Sequence, residues 1–143
     1  MKAFSSSILV TIGLMAMSFS TLAPGLKFEK TLHNFGDKVK QHQPVSCEFK
    51  FTNDGAEPLL ITNVKPSCGC TTPEWPKEPI MPGQSGVIKA EYNAEKLGAF
   101  HKTIEVTSNA TETPLSLTIK GSVIEASLVD TEDKKPPKLE LNK

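Results

Sequence analysis

Hydrophobic and polar residues alternate in short runs along most of this chain, and no window carries a convincing helical period. The cleanest run, Val45-Ser46-Cys47-Glu48-Phe49-Lys50-Phe51-Thr52, puts Val45, Cys47, Phe49 and Phe51 on one face of a strand and polar residues on the other. Leu26 to Glu29 alternates before it, and so does a stretch from His33 that Gly36 ends, in which Phe35 is expected to be buried. After it come Leu59 to Val64, then Val87 to Tyr92 with Ile88, Ala90 and Tyr92 inward, then Phe100 to Thr107 with Phe100, Ile104 and Val106 inward. Leu115 to Val123 closes the series with Leu115, Leu117, Ile119 and Val123 on one side. Turn chemistry separates these runs: Asn53-Asp54-Gly55, Gly98, the stretch from Asn109 to Pro114, and Met81-Pro82-Gly83-Gln84, which suits a type II turn with Pro82 second and Gly83 third. About seven short strands spaced by turn signals predict an all-β, antiparallel sandwich.

The ends of the chain differ from this pattern. Met1-Lys2, the apolar run Ile8 to Met17 and the small residues Ser18, Ser20 and Ala23 have the layout of a secretory signal peptide, too short to span a bilayer comfortably. Residues 1–23 are therefore expected to be removed by cleavage near Ser20 to Ala23. The junction has no cysteine for lipid attachment, so the expected product is soluble, exported to the periplasm or the extracellular space, and without a membrane span. Residues 24–125 form the expected domain, enough to bury a modest core. From Ala126 onward, Asp130 to Pro137 is charged and proline-containing, and residues 126–143 are expected to form a disordered tail or tether.

Charge narrows the partners. Sixteen basic residues, all lysine, balance sixteen acids. Without arginine there is no guanidinium fork for phosphate or bases, and no basic block stands out, so nucleic acid is not an expected partner.

Chemistry is confined to one stretch. In Val64-Lys65-Pro66-Ser67-Cys68-Gly69-Cys70-Thr71-Thr72-Pro73, two thiols flank a single glycine between two prolines, and the segment is expected to be a loop that presents both sulfurs. Three readings stay open for Cys68 and Cys70. A disulfide between them closes a very small ring, which makes the bond comparatively oxidising and suits thiol exchange, although only Lys65 and Lys77 lie nearby in sequence to activate a thiol. Two adjacent thiolates could instead hold a soft cation such as Cu(I), the one cofactor the sequence suggests. Or the pair is a local staple with no turnover. Structural zinc is not indicated, because His33, His42 and His101 complete no recognisable four-ligand spacing.

The third cysteine, Cys47, shares a strand face with Val45, Phe49 and Phe51 and is expected to be core filler. An antibody-type pairing over a strand-C tryptophan is absent, since Trp75 follows the cysteine loop and the last two strands contain no cysteine. His33 is expected to be a hydrogen-bonded strand-end residue and His101 a solvated one. No Ser/His/Asp spacing, carboxylate pair, phosphate-cradling loop or zinc-hydrolase helix is present, and the glycosylation sequon Asn109-Ala110-Thr111 is assigned no role.

Phe51-Thr52-Asn53-Asp54-Gly55, Pro58-Leu59-Leu60-Ile61, Pro66-Ser67-Cys68-Gly69-Cys70-Thr71, Pro79-Ile80-Met81-Pro82-Gly83, Ser108-Asn109 and Ile119-Lys120-Gly121 together closely resemble the bacterial family DUF1573. His33-Asn34-Phe35-Gly36 is similar to its opening motif. The resemblance implies an exported immunoglobulin-like sandwich similar to the ASH and major-sperm-protein domains, which are binding modules, and it implies no activity. The function expected from it is a non-enzymatic module of the cell envelope that binds another envelope protein or a polymer. Thiol redox chemistry or Cu(I) handling at Cys68 and Cys70 is the alternative.

Overall fold

The computed structural model describes residues 23–126. All but Ala23 of the expected signal peptide, and all but Ala126 of the expected tail, lie outside them. Nine strands occur among the described residues: β1 Lys27–Phe28, β2 Leu32–Asn34, β3 Val39–Lys40, β4 Val45–Thr52, β5 Ile61–Pro66, β6 Thr71–Glu74, β7 Ser85–Tyr92, β8 Gly98–Ser108 and β9 Leu115–Ile124. One sheet runs β1-β4-β7-β6, and the other runs β2-β9-β8-β5 with β3 also paired to β9.

The expected sandwich is therefore present, and the alternating runs mark its central strands. Val45 to Thr52 pairs along its whole length with β7, so that Phe49 faces Ile88 and Cys47 faces Ala90 across the ladder. From the second sheet, Ile104, Val106, Leu117 and Ile119 close on that face, and all of these side chains are buried. Each large apolar side chain so buried contributes about 1.5 to 3 kcal/mol relative to exposure.

Two glycines let aromatic rings lie flat across the ladders. Gly86 is paired with Phe51 and Gly121 with Phe100, and a Cβ on either would run into the ring opposite. The turn at Met81–Gln84 is type II as expected, with Gly83 at φ +77° and the Gln84 N–H donating to the Met81 carbonyl at 3.0 Å.

Three departures from the expected pattern have physical causes. First, β2 and β3 run parallel to β9, because the first strand leaves one sheet after Phe28 and reaches the edge of the other, dividing around Gly36 (φ +82°). Phe35 falls just after β2 and is only half-buried, packed between the rings of His33 (4.5 Å) and Phe100 (6.2 Å). Second, a bulge between Ile61 and Asn63 shifts the alternation in β5, so that Ile61 and Val64 are both buried while Thr62 and Asn63 face out. Leu59 precedes the strand and meets Ile80 in an isolated bridge.

Third, Asn53 is not merely a turn residue. It is fully buried, and its amide makes four hydrogen bonds: Oδ1 accepts from the Gly25 and Gly55 N–H groups (both 3.0 Å), and Nδ2 donates to the Glu57 (2.7 Å) and Ile80 (2.8 Å) carbonyls. Three otherwise separate loops are fastened at that point.

Candidate functional site

The cysteine segment is shorter as a loop than its prolines suggest. Strand β5 runs through Pro66, and strand β6 starts at Thr71, leaving Ser67–Cys70 as the turn by which the chain crosses between the two sheets. Ser67 completes the β5 ladder: its N–H donates to the Thr103 carbonyl at 2.8 Å, and its hydroxyl accepts from the Thr103 N–H at 3.1 Å. On the other side the Asn93 N–H donates to the Cys70 carbonyl at 2.8 Å.

These two bonds fix the phase of both ladders. Hydrogen-bonding pairs alternate with non-bonding pairs in an antiparallel sheet. Ser67/Thr103 and Cys70/Asn93 are bonding pairs, so Pro66 (opposite Ile104) and Pro73 (opposite Ala90) occupy non-bonding positions whose backbone points off the sheet. A proline there breaks no ladder bond and deletes an outward donor. Both sheet edges beside the turn are closed in this way to an incoming strand.

Cys68 and Cys70 are joined as a disulfide, with their Cα atoms 5.3 Å apart, and both are half-buried. Cys70 packs against the core, and Cys68 Sγ lies 3.9 Å from the hydroxyl of the buried Thr71. Gly69 is not at a positive φ, and a Cβ there would meet nothing within 4 Å.

The sulfurs line a cleft of about 270 Å³ with Tyr92, Asn93, Glu95, Lys96 and Lys102. The neighbouring cations differ from those expected. Lys65 lies across the ladder from Glu105 on the outer face, and the Lys77 ammonium sits 3.0 Å from the centre of the Trp75 ring, and neither lines the cleft. Lys102 is the unexpected member. It occupies the core-facing phase of β8 between the buried Phe100 and Ile104, opposite the buried Ile119. Lys102 thereby lines the same cleft as Cys68 and Cys70, which lie in the turn just beyond the end of the β5–β8 ladder. A lysine at a core-phase position was the signal in the sequence that would have found it.

Other expected site residues stay apart. His101 is exposed on β8, His33 lies edge-on to Phe35, and among the described residues no group of three or more His, Cys, Asp or Glu side chains could hold a metal ion. Reduced Cys68 and Cys70 could thus offer a cuprous ion only their two thiolates. Cys47 is buried on β4 as expected, and burial pushes its thiol from 9.0 up to about 11. Burial also raises the Tyr92 phenol, which stacks on Phe100 at 4.0 Å.

Two sheets packed face to face, with the opening strands divided between them and a disulfide turn at one flank, define an immunoglobulin-like β-sandwich. The chain belongs to DUF1573, a family described as a protein of unknown function, whose model matches residues 26–123. Among solved structures it is similar to the ASH/PapD-like domain 7 of human CEP192 (TM-score 0.58, 11% identity, covering 87% of this chain and 99% of that one). It is also similar to a protein of unknown function from Porphyromonas gingivalis W83 (TM-score 0.58, 18% identity, covering 70% of this chain) and to the Vibrio cholerae protease VesB (TM-score 0.52, 15% identity, covering 70%). The match spans 46% of the first of these proteins and 31% of the second, and at such identities the likeness is one of fold. No curated protein matches the chain in sequence.

Proposed function

We propose that this protein is an exported, non-enzymatic module of the cell envelope that binds another envelope protein or a polymer, and that a polypeptide partner pairs with its N-terminal sheet edges. The observation that carries this reading is the backbone phase of β1 and β2. The Glu29 N–H donates to the Lys50 carbonyl, so Phe28 occupies the outward-pointing phase of β1. In β2, the Thr31 carbonyl accepts from Thr118 and the Phe35 N–H donates to the Lys120 carbonyl, which turns the backbone groups of Leu32 and Asn34 outward. No proline lies between Gly25 and Gln43, and the Leu32 side chain is 48% exposed. Such an edge can accept a strand from a partner.

Substituting Leu32→Pro removes an outward donor without breaking a ladder bond, so the variant should fold. Incubated with the exported fraction of the source cells, it should lose at least tenfold in partner retention, whereas Cys68→Ser with Cys70→Ser should bind largely as wild type. Unchanged retention by a folded Leu32→Pro variant, or loss of retention in the folded double-serine variant, would count against the proposal. Intact mass of the exported protein checks the cleavage near Ser20 to Ala23.

A further inference from the structure

The geometry points to a second role for the disulfide turn: we propose that Cys68 and Cys70 form a thiol–disulfide exchange site in which Cys68 carries the negative charge, stabilised by Lys102 and the Thr71 hydroxyl. A staple alone has no use for the surroundings found here. Lys102 lines the cleft together with Cys68, at a core-facing position of a strand whose flanking inward residues Phe100 and Ile104 are buried. Thr71 is buried, and its hydroxyl lies at Cys68 Sγ, a weak acceptor in a disulfide and a strong one as a thiolate. Of the other charged residues in the cleft, Lys96 adds a second cation, and the Glu95 carboxylate is turned to Asn93, whose Nδ2 donates to Glu95 Oε1 at 2.8 Å. Space above Gly69 and the cleft of about 270 Å³ give a thiol of cysteine size access to the sulfurs.

In the exchange, an incoming thiolate attacks Sγ of Cys70. A bond forms between the incoming sulfur and Cys70, the Cys68–Cys70 bond breaks, and its electron pair leaves on Cys68 as thiolate beside the Lys102 ammonium and the Thr71 hydroxyl. When the attacking molecule carries a second thiol, that thiol as thiolate attacks the first substrate sulfur and expels Cys70. The substrate dithiol is then oxidised to a disulfide, and the Cys68/Cys70 pair is reduced by the same two electrons. The ligand class is a thiolate, either a small-molecule thiol or a cysteine side chain of a polypeptide.

The test is alkylation of the reduced, full-length protein as a function of pH, with mass spectrometry resolving each cysteine, together with equilibration against glutathione and against a cysteine-containing peptide. Cys68 should titrate about one unit or more below the ordinary thiol range. Lys102→Met should raise that midpoint and shift the equilibrium about tenfold toward the disulfide, while Lys102→Arg retains most of the effect. Thr71→Val should raise the midpoint less, with rescue by Thr71→Ser. In Cys68→Ser, the Cys70 thiolate should attack glutathione disulfide or the peptide supplied as its symmetric disulfide, expel one probe thiolate and hold the other as a mixed disulfide; trapping with both probes means that the cleft admits either source, and trapping with one identifies it. A lysine that merely guards the sheet edge would leave both cysteines with ordinary profiles in wild type and in Lys102→Met, and that result overturns the proposal. So does failure of both probes to form a mixed disulfide. Should Lys102→Met fail to fold, the wild-type profile and the Thr71 pair decide the same question.

Discussion

The two flanks of the sandwich solve the same problem in opposite ways. On one flank β5 and β6 end their sheets, and Pro66 and Pro73 remove outward donors at the positions where the ladder does not need them. On the other flank β1 and β2 end the same two sheets, with Phe28, Leu32 and Asn34 presenting backbone to the outside and no proline among them. Each flank is a crossing point between the sheets. The first is closed to strands and carries a disulfide in a charged cleft; the second is open to strands and carries no cysteine. The strand pairing and the sulfur chemistry proposed for this protein, rival functions in the sequence, would therefore fall on separate surfaces.

The comparison can be broken most severely at Asn53. Its Oδ1 holds Gly25, the lead into β1, and its Nδ2 holds the loops at Glu57 and Ile80. Asn53→Ala strands the Gly25 and Gly55 N–H groups and the Glu57 carbonyl, while the Ile80 carbonyl keeps the Leu59 N–H, and chemical denaturation should register a loss of about 3 to 4 kcal/mol. Hydrogen exchange in that variant should accelerate first around β1.

A smaller effect separates the buried thiol from the pair in the cleft. The Cys47 thiol is held at about 11 in the fold against an ordinary 9.0, so above pH 9 the unfolded chain loses a proton that the folded one retains. Its contribution to stability is complete below the ordinary value and declines as pH rises toward the folded value, by about 2 to 3 kcal/mol in all. Denaturant midpoints measured from pH 8 to 11 in wild type and Cys47→Ala should show that this component of the alkaline decline is absent from the variant.

The smallest change in stability should come from opening the closed flank. Pro66→Ala with Pro73→Ala costs the ladders nothing and should alter stability by less than about 1 kcal/mol. It restores two outward donors, so light scattering should detect more concentration-dependent self-association than in wild type.

Much of this was legible in the sequence where one face of a strand is buried. Val45 to Thr52, Val87 to Tyr92 and Leu115 to Val123 alternate because their inward residues meet the opposite sheet, and the structure places them accordingly. Strand β6 was hidden because Pro73 makes it resemble a loop, and proline is tolerated there only by the phase of the ladder. Asn53 gave no sign of its burial, since a turn asparagine has the same sequence signature whether its amide meets water or two distant segments. The cleft was misplaced for a related reason. Lys65 and Lys77 are close to the cysteines along the chain, but strand alternation turns Lys65 outward and Trp75 takes Lys77, while Lys102 arrives through the register of β8.

The difference between the flanks is tested most directly by a photo-crosslinking residue placed at Leu32 on the open flank or at Thr72 on the closed one, in full-length protein irradiated within the exported fraction of the source cells. Discrete polypeptide adducts are expected from position 32 and none from position 72. Adducts from position 72 with none from position 32 would contradict it.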